Sequence, residues 1–288
     1  MPIKSLLVPM NAVQSDRSTL DLALTIARPT NAHIRALFVR SDPRDAALYG
    51  GFGAEAVGIG RIMDQIEKEG VEASARAHEA FETWCARNDI SEYKKSRAGA
   101  RVSADWQDET GNADLIVPRI GGLADLIVET GLYDAKLPLE QTTIEASLFG
   151  SGRPVLVAPK VLPRALDNGA LIAWNGSREA NRAVGAALDL LATQKKVAVY
   201  SAPETGRAAA NPADLIEFLG WHGIEATRVA ASKGAKSIGA DLLDIAGRER
   251  ASLLVMGAYT HGRFREMVLG GVTAHVLRHA KLPVLLAH

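Results

Sequence analysis

The chain repeats itself, and the repetition restricts it to a fold that can be built twice. Leu6-Leu7-Val8-Pro9-Met10-Asn11 is an apolar run that leads through Ser15-Asp16 into Leu20, Ala23, Leu24 and Ala27 at helical spacing. Leu171-Ile172-Ala173-Trp174-Asn175-Gly176-Ser177 leads in the same way into Val184, Ala187, Leu188 and Leu191. In both copies a polar turn beginning with Asn separates the two parts. Ser15 and Ser177 stand where an N-cap hydroxyl accepts from the free N–H groups of a first helical turn. The copies agree again later: Ala124-Asp125-Leu126-Ile127-Val128 matches Ala251-Ser252-Leu253-Leu254-Val255, and Arg153-Pro154-Val155-Leu156-Val157-Ala158 matches Leu282-Pro283-Val284-Leu285-Leu286-Ala287.

Short apolar runs without alternation predict strands covered on both faces. Helical spacing predicts helices over 62–88, 178–193, 213–221, 237–250 and 272–280. Alternation of strands and helices specifies βαβ units. The expected fold class is therefore α/β, as two tandem doubly wound, mainly parallel five-stranded sheets with helices on both faces. In the second copy the strands should centre near Ile172, Val199, Thr227, Val255 and Val284. A length of 288 residues accommodates two ordinary domains. Pro163, Asn168 and Gly169 break the pattern between them. The expected domains are 1–162, with a Gly- and Ala-rich insertion near 42–60, and 168–288.

Composition excludes several classes. Lys plus Arg is 33 and Asp plus Glu is 33, so no net positive field exists to capture nucleic acid or an anionic membrane. The first apolar run is too short and too interrupted for a signal peptide or a membrane span, which makes a cytoplasmic location the expectation. Cys85 is the single cysteine, so neither an internal disulfide nor a Cys-rich zinc site can form. Its neighbours Phe81 and Trp84 on an amphipathic stretch assign it to packing.

The most informative local pattern follows the fourth strand of the second copy. Met256-Gly257 leads through Thr260-His261-Gly262 to Gly270-Gly271-Val272-Thr273, where a helix should begin. Glycines between a strand and a helix let backbone N–H groups approach a phosphate, and the helix N-terminus adds positive potential. The plainer reading is a pair of turns that cap a strand and a helix.

This stretch resembles the C-terminal signature of universal stress proteins. In nucleotide-binding members that signature is Gly, two residues, Gly, nine residues, then Gly followed by Ser or Thr. Aligned on Gly270, this chain has Gly257, then Thr260 in place of the middle glycine, then Gly270 followed by Gly271 in place of Ser or Thr; Gly262 is displaced by two positions. Ala173-Trp174-Asn175-Gly176-Ser177 is similar to the family's first strand and turn, with Asn175 where an Asp usually contacts the adenosine part. The resemblance covers nearly the whole chain and is most specific over 170–288. It implies a fold like that of the adenine nucleotide α-hydrolases. It also implies ATP or another adenine nucleotide as ligand, held by Ala173, Asn175, Gly257, Thr260, Gly262, Gly270, Gly271, Val272 and Thr273, with no metal beyond Mg²⁺ accompanying the nucleotide. Arg263 and Arg265 would add charge. The first copy has Asn11-Ala12 at the matching turn and Glu129-Thr130-Gly131 after its fourth strand, without the glycine series, and is expected to be a nucleotide-free half. Family members dimerise through the last strand. The matching strands Val155-Leu156-Val157 and Val284-Leu285-Leu286 should therefore pair antiparallel and make the chain an internal pseudo-dimer; a homodimer, or a protein partner of unknown kind, is also compatible.

Other patterns fail on context. Gly51-Phe-Gly53-Ala-Glu-Ala56 mimics a dinucleotide fingerprint but follows no strand run. Gly234-Ala-Lys236-Ser237 lacks the adjacent Gly-Lys pair and the upstream glycine of a P-loop. His275 and His279 share a helix face, but Val276 stands where a zinc protease needs Glu. Ser15, Ser147 and Ser177 have no nucleophile-elbow context and no assignable histidine. Three readings remain: a nucleotide-binding module of the stress response, an interaction module of the same fold, and a weak nucleotide hydrolase. The last lacks both a pyrophosphatase-type Ser-Gly-Gly loop and a catalytic constellation.

Overall fold

The structure is a computed structural model that describes residues 2–12, 16–44, 59–92, 101–132, 138–202, 211–232, 237–258 and 271–288. The Gly- and Ala-rich stretch 45–58 lies outside the described residues, as do Ser15, Gly51 to Ala56, and Gly234 to Lys236. By contacts the chain forms two compact units, Ile3–Val128 and Glu129–His288 with Met1–Pro2.

The apolar runs at Leu6, Leu126, Val155, Leu171, Leu253 and Val284 become strands, as expected, and the structure adds strands over 33–40, 91–92 and 103–110. In Ile3–Val128 the strands are β1 (Ser5–Met10), β2 (His33–Arg40), β3 (Ser91–Glu92), β4 (Ser103–Thr110) and β5 (Leu126–Thr130). Their order is β3-β4-β2-β1-β5, and their pairings are parallel. The helices are α1 (Asp16–Thr30), α2 (Ile59–Asn88) and α3 (Ala113–Gly121). α1 buries Leu20, Ala23, Leu24 and Ala27, the positions that its spacing marks as apolar. β2 and β4 pair over eight residues, His33 with Ser103 through Arg40 with Thr110. Phe81 and Trp84 of α2 lie near each other at 6.1 Å, and Phe81 lies 5.7 Å from Trp106 of β4. Cys85 beside them is buried, as its packing role requires.

Glu129–His288 holds α4 (Pro138–Gly150), β6 (Val155–Ala158), β7 (Ala170–Ala173), α5 (Arg178–Leu191), β8 (Val197–Tyr200), α6 (Pro212–Trp221), β9 (Ala226–Arg228), α7 (Ile238–Arg248), β10 (Leu253–Gly257), α8 (Gly271–His279) and β11 (Val284–Ala287). Strand order is β6-β11-β10-β7-β8-β9. β7 to β11 pair in parallel. Leu171, Ile172, Val199, Leu254, Val255 and Leu285 are fully buried, which a strand permits only when helices cover both faces. β6 pairs with β11 antiparallel, Leu156 opposite Leu285. This pairing satisfies the backbone groups of a wholly apolar edge that would otherwise template association. It also explains why the compact units divide before β6, although the sequence repeat ends after it.

Candidate functional site

In the second repeat the strand order reverses between β7 and β10. In open α/β sheets the crevice outside the carboxyl ends of such strands is where ligands bind. Met256 pairs with Ala173, so the segments leaving β7 and β10 start side by side. Past β7, Trp174 N donates to Tyr200 O at 2.9 Å and Trp174 Nε1 donates to Asn181 Oδ1 at 2.8 Å. Ser177 N donates to Asn175 Oδ1 at 3.2 Å. Gly176 closes that turn at φ +73, a left-handed conformation that glycine adopts without a Cβ penalty. Ser177 then caps α5, its Oγ accepting from Ala180 N at 3.1 Å. The oxygen of Asn175 is thus committed to the turn. Among the described residues its amide nitrogen donates to no protein group, so the side chain offers a ligand a donor.

Gly257 ends β10 and opens the glycine-bearing stretch. A Cβ there would lie 2.5 Å from Ala180 N, 2.8 Å from Glu179 C and 3.0 Å from Ala180 Cα. The absent side chain therefore makes room for the first turn of α5. Thr260, Gly262 and Gly270 lie outside the described residues. Gly271 begins α8, and among the described residues nothing lies within 4 Å of where its side chain would stand. Val272 is half-buried and Thr273 buried. Among the described residues the Thr273 hydroxyl has no hydrogen-bond partner, and the N–H groups of the first α8 turn have no carbonyl one turn earlier within the helix. The structure thus brings Ala173, Asn175 and Gly257 to one end of the β7–β10 pair, and puts Gly271, Val272 and Thr273 at a helix N-terminus.

A polar knot that the sequence did not reveal lies beside the same sheet end. Tyr200, the last residue of β8, donates its hydroxyl to Asp241 Oδ2 at 2.6 Å. Ser232 N donates to Asp241 Oδ1 at 2.6 Å. Arg248 donates to Ser232 Oγ and Ala230 O, both at 3.1 Å. Burial and the Asp241 carboxylate push the Tyr200 hydroxyl well above its ordinary range, so it stays a neutral donor. For Asp241, burial acts to raise its pKa, but the bonds from Tyr200 and Ser232 outweigh it and hold the carboxyl below the usual range. The knot fastens the chain after β9 to α7. Tyr200 lies 41 residues before Asp241 in sequence, and the fold brings it to the other three.

In the first repeat, Asn11 N donates to both Asp16 carboxylate oxygens at 3.2 Å. Ala12 has φ +56, the same left-handed turn that Gly176 makes in the second repeat. A cavity of about 740 Å³ opens there between α1 and α2, with Met10, Leu20, Asp21, Ala80, Trp84 and Arg87 among its walls. Glu129 is no surface charge: it is buried and accepts from Ser147 Oγ at 2.7 Å. Among the described residues no group of three or more His, Cys, Asp and Glu is arranged to hold a metal. His275 and His279 stack at 4.4 Å, with His279 Nδ1 bonded to the carbonyl of His275. No helix of the described residues is long and apolar enough to cross a membrane.

The strand orders define two tandem α/β repeats, each with its switch point at the first strand. Residues 170–288 match the universal stress protein family. A universal stress protein from Archaeoglobus fulgidus is similar in structure, with TM-score 0.69 and 17% identity over 98% of this chain and 97% of that one. A functionally unknown protein from Pseudomonas aeruginosa PAO1 gives TM-score 0.55 and 16% identity over 99% and 92%. A universal stress protein from Pseudomonas aeruginosa UCBPP-PA14 gives 0.53 and 16% over 99% and 93%. At such identities the likeness concerns fold. No curated protein matches the chain in sequence. Residues 170–288 are a universal stress protein domain, and the chain as a whole shares the fold of these structures.

Proposed function

We propose that the second repeat binds ATP or a related adenine nucleotide, with Mg²⁺ accompanying it, and acts in the stress response of the cytoplasm without efficient catalysis. The observation that carries this reading is the reversal of strand order between β7 and β10, with an Asn175 amide that is unengaged among the described residues at its carboxyl end and, further along the chain, the N-terminus of α8. Asn175 would face the adenosine part, and the amides of the 270–273 stretch would meet the phosphates. The buried hydroxyl of Thr273, without a partner among the described residues, gives a further reason for a polar guest nearby. Calorimetric titration with ATP tests the proposal. One site per chain is expected, abolished by Gly270→Asp, which adds bulk and negative charge, and almost unchanged by Glu129→Gln. Two sites, or a site lost with Glu129, overturn the assignment to the second repeat.

A second reading, a protein-interaction module, is favoured by Trp221, 83% exposed at the end of α6 with Phe218 beside it. No ATP-induced thermal shift, together with purified protein free of adenine nucleotide, would transfer the function to that reading. We also propose that the β6–β11 pairing is an internal counterpart of a dimer contact, making the chain a pseudo-dimer. Leu285→Asp should release the β6 edge and produce concentration-dependent association in sedimentation. A folded, monodisperse variant overturns this.

A further inference from the structure

Four polar side chains meet on one face of β2 and β4. The parallel register sets His33 opposite Ser103 and Arg35 opposite Asp105, and alternation along each strand gives the four a common side. His33 Nδ1 lies 2.9 Å from Ser103 Oγ, and His33 Nε2 lies 3.2 Å from Asp105 Oδ1. Arg35 donates to Asp105 from Nε at 3.1 Å and from Nη2 at 2.9 Å. Burial would raise the Asp105 carboxyl, but the hydrogen bonds from His33 and Arg35 outweigh it and keep the group below the usual carboxylate range.

The proton positions follow. An ionised Asp105 can only accept, so Nε2 of His33 carries the hydrogen. In the neutral ring Nδ1 then presents its lone pair, and the Ser103 hydroxyl donates to it. The result is a hydroxyl, a base that can take its proton, and a carboxylate that fixes the base in the required tautomer. A cross-strand ion pair would have needed Arg35 and Asp105 alone. The His33 side chain is 29% exposed, so solvent and small reagents reach the cluster. The cluster lies at the amino ends of β2 and β4, away from the Asn11 turn at the carboxyl end of β1.

We propose that Ser103 is a reactive nucleophile, with His33 as its general base and Asp105 as the positioning residue for His33, competent toward small activated acyl and phosphoryl donors. With an aryl ester, Ser103 Oγ bonds to the carbonyl carbon while its proton passes to His33 Nδ1. The bond to the aryl oxygen breaks, and the phenol leaves with that proton. Water, giving its proton to His33, then hydrolyses the acyl-serine to the carboxylic acid and restores the hydroxyl. With a fluorophosphonate the Oγ–P bond forms, fluoride leaves, the Ser103 proton reaches solvent through His33, and the adduct persists.

The test is labelling of the full chain by a fluorophosphonate, read by intact mass and peptide mapping, with thermal melts confirming that each variant is folded. A single adduct on Ser103 is expected, absent in Ser103→Ala and slowed about 100-fold in His33→Ala. Free imidazole should restore labelling of His33→Ala, as it replaces a missing base but not a missing strand contact. Asp105→Asn should slow labelling, and Asp105→Glu should recover part of the rate. No adduct on the folded wild type, an adduct that survives Ser103→Ala, a His33→Ala variant as fast as wild type, or failure of imidazole to restore it would each overturn the proposal.

Discussion

Gly257→Ala separates two uses of one glycine. If Gly257 is needed for helix packing, the variant is destabilised with no ligand present. The new Cβ would sit 2.5 Å from Ala180 N, so β10 and the first turn of α5 must move apart by about 1 Å to restore normal contact. The atoms it meets are backbone, and no flexible side chain can swing away. α5 buries Ala180, Ala183, Val184, Ala187 and Leu191, and its Ser177 cap lies one turn from the clash. Overpacking of this kind costs about 1–3 kcal/mol. For a unit of this size that lowers the melting temperature by about 2–10 °C. Thermal unfolding without nucleotide is the assay, and Gly271→Ala is the control, since nothing among the described residues lies within 4 Å of a Cβ at that position. The control should melt at or above the wild type. If Gly257→Ala melts with the wild type and loses only an ATP-induced shift, the glycine serves the ligand and the packing argument is refuted.

Other outcomes follow from the same geometry. Tyr200→Phe removes a donor from the buried Asp241 carboxylate and should cost about 1–3 kcal/mol near neutral pH in denaturant titrations. The Asp241 carboxyl lies below its ordinary range when folded. Its stabilisation is therefore fully present above the unfolded value of about 3.9 and is lost as pH falls below it, so the variant should show a flatter loss of stability in acid; an unchanged acid limb counts against the knot. Ala12→Gly relieves a left-handed alanine at a cost of about 1–2 kcal/mol, less the extra unfolded-state entropy of glycine, and should be neutral or stabilising by up to about 1 kcal/mol. A destabilised Ala12→Gly would show that the turn is held by more than its backbone.

Much of the fold could be read because apolar periodicity is a local signal. The runs at Leu171, Leu254 and Val284 are strands for the reason the sequence suggested: helices bury both their faces. Ser177 is an N-cap because its position before an apolar helix leaves its hydroxyl the nearest acceptor for Ala180 N. The site was legible only in part. The resemblance places Asn175 against the adenosine part of a ligand, yet its oxygen is held by Ser177 N, a turn bond that depends on the backbone angles of Gly176. The Ser103–His33 contact joins residues 70 apart. Neither β2 nor β4 was among the strands read from the sequence, and even a known strand pair leaves its register open: a one-residue slip would put His33 and Ser103 on opposite faces.

The two repeats use one turn for different ends. Asn11-Ala12 and Asn175-Gly176 both pass through the left-handed region, so the chain path after the first strand is common to them. What differs is how each turn is tied. Asn11 N is held by the Asp16 carboxylate, placing a negative charge at the turn of the first repeat. The second repeat uses the neutral oxygen of Asn175 and the hydroxyl of Ser177. Near a polyanionic ligand the carboxylate that ties the first turn repels, whereas the neutral groups that tie the second turn do not. That difference, on a shared backbone, supports the proposed assignment of a nucleotide to the second repeat independently of the glycines that first pointed to it.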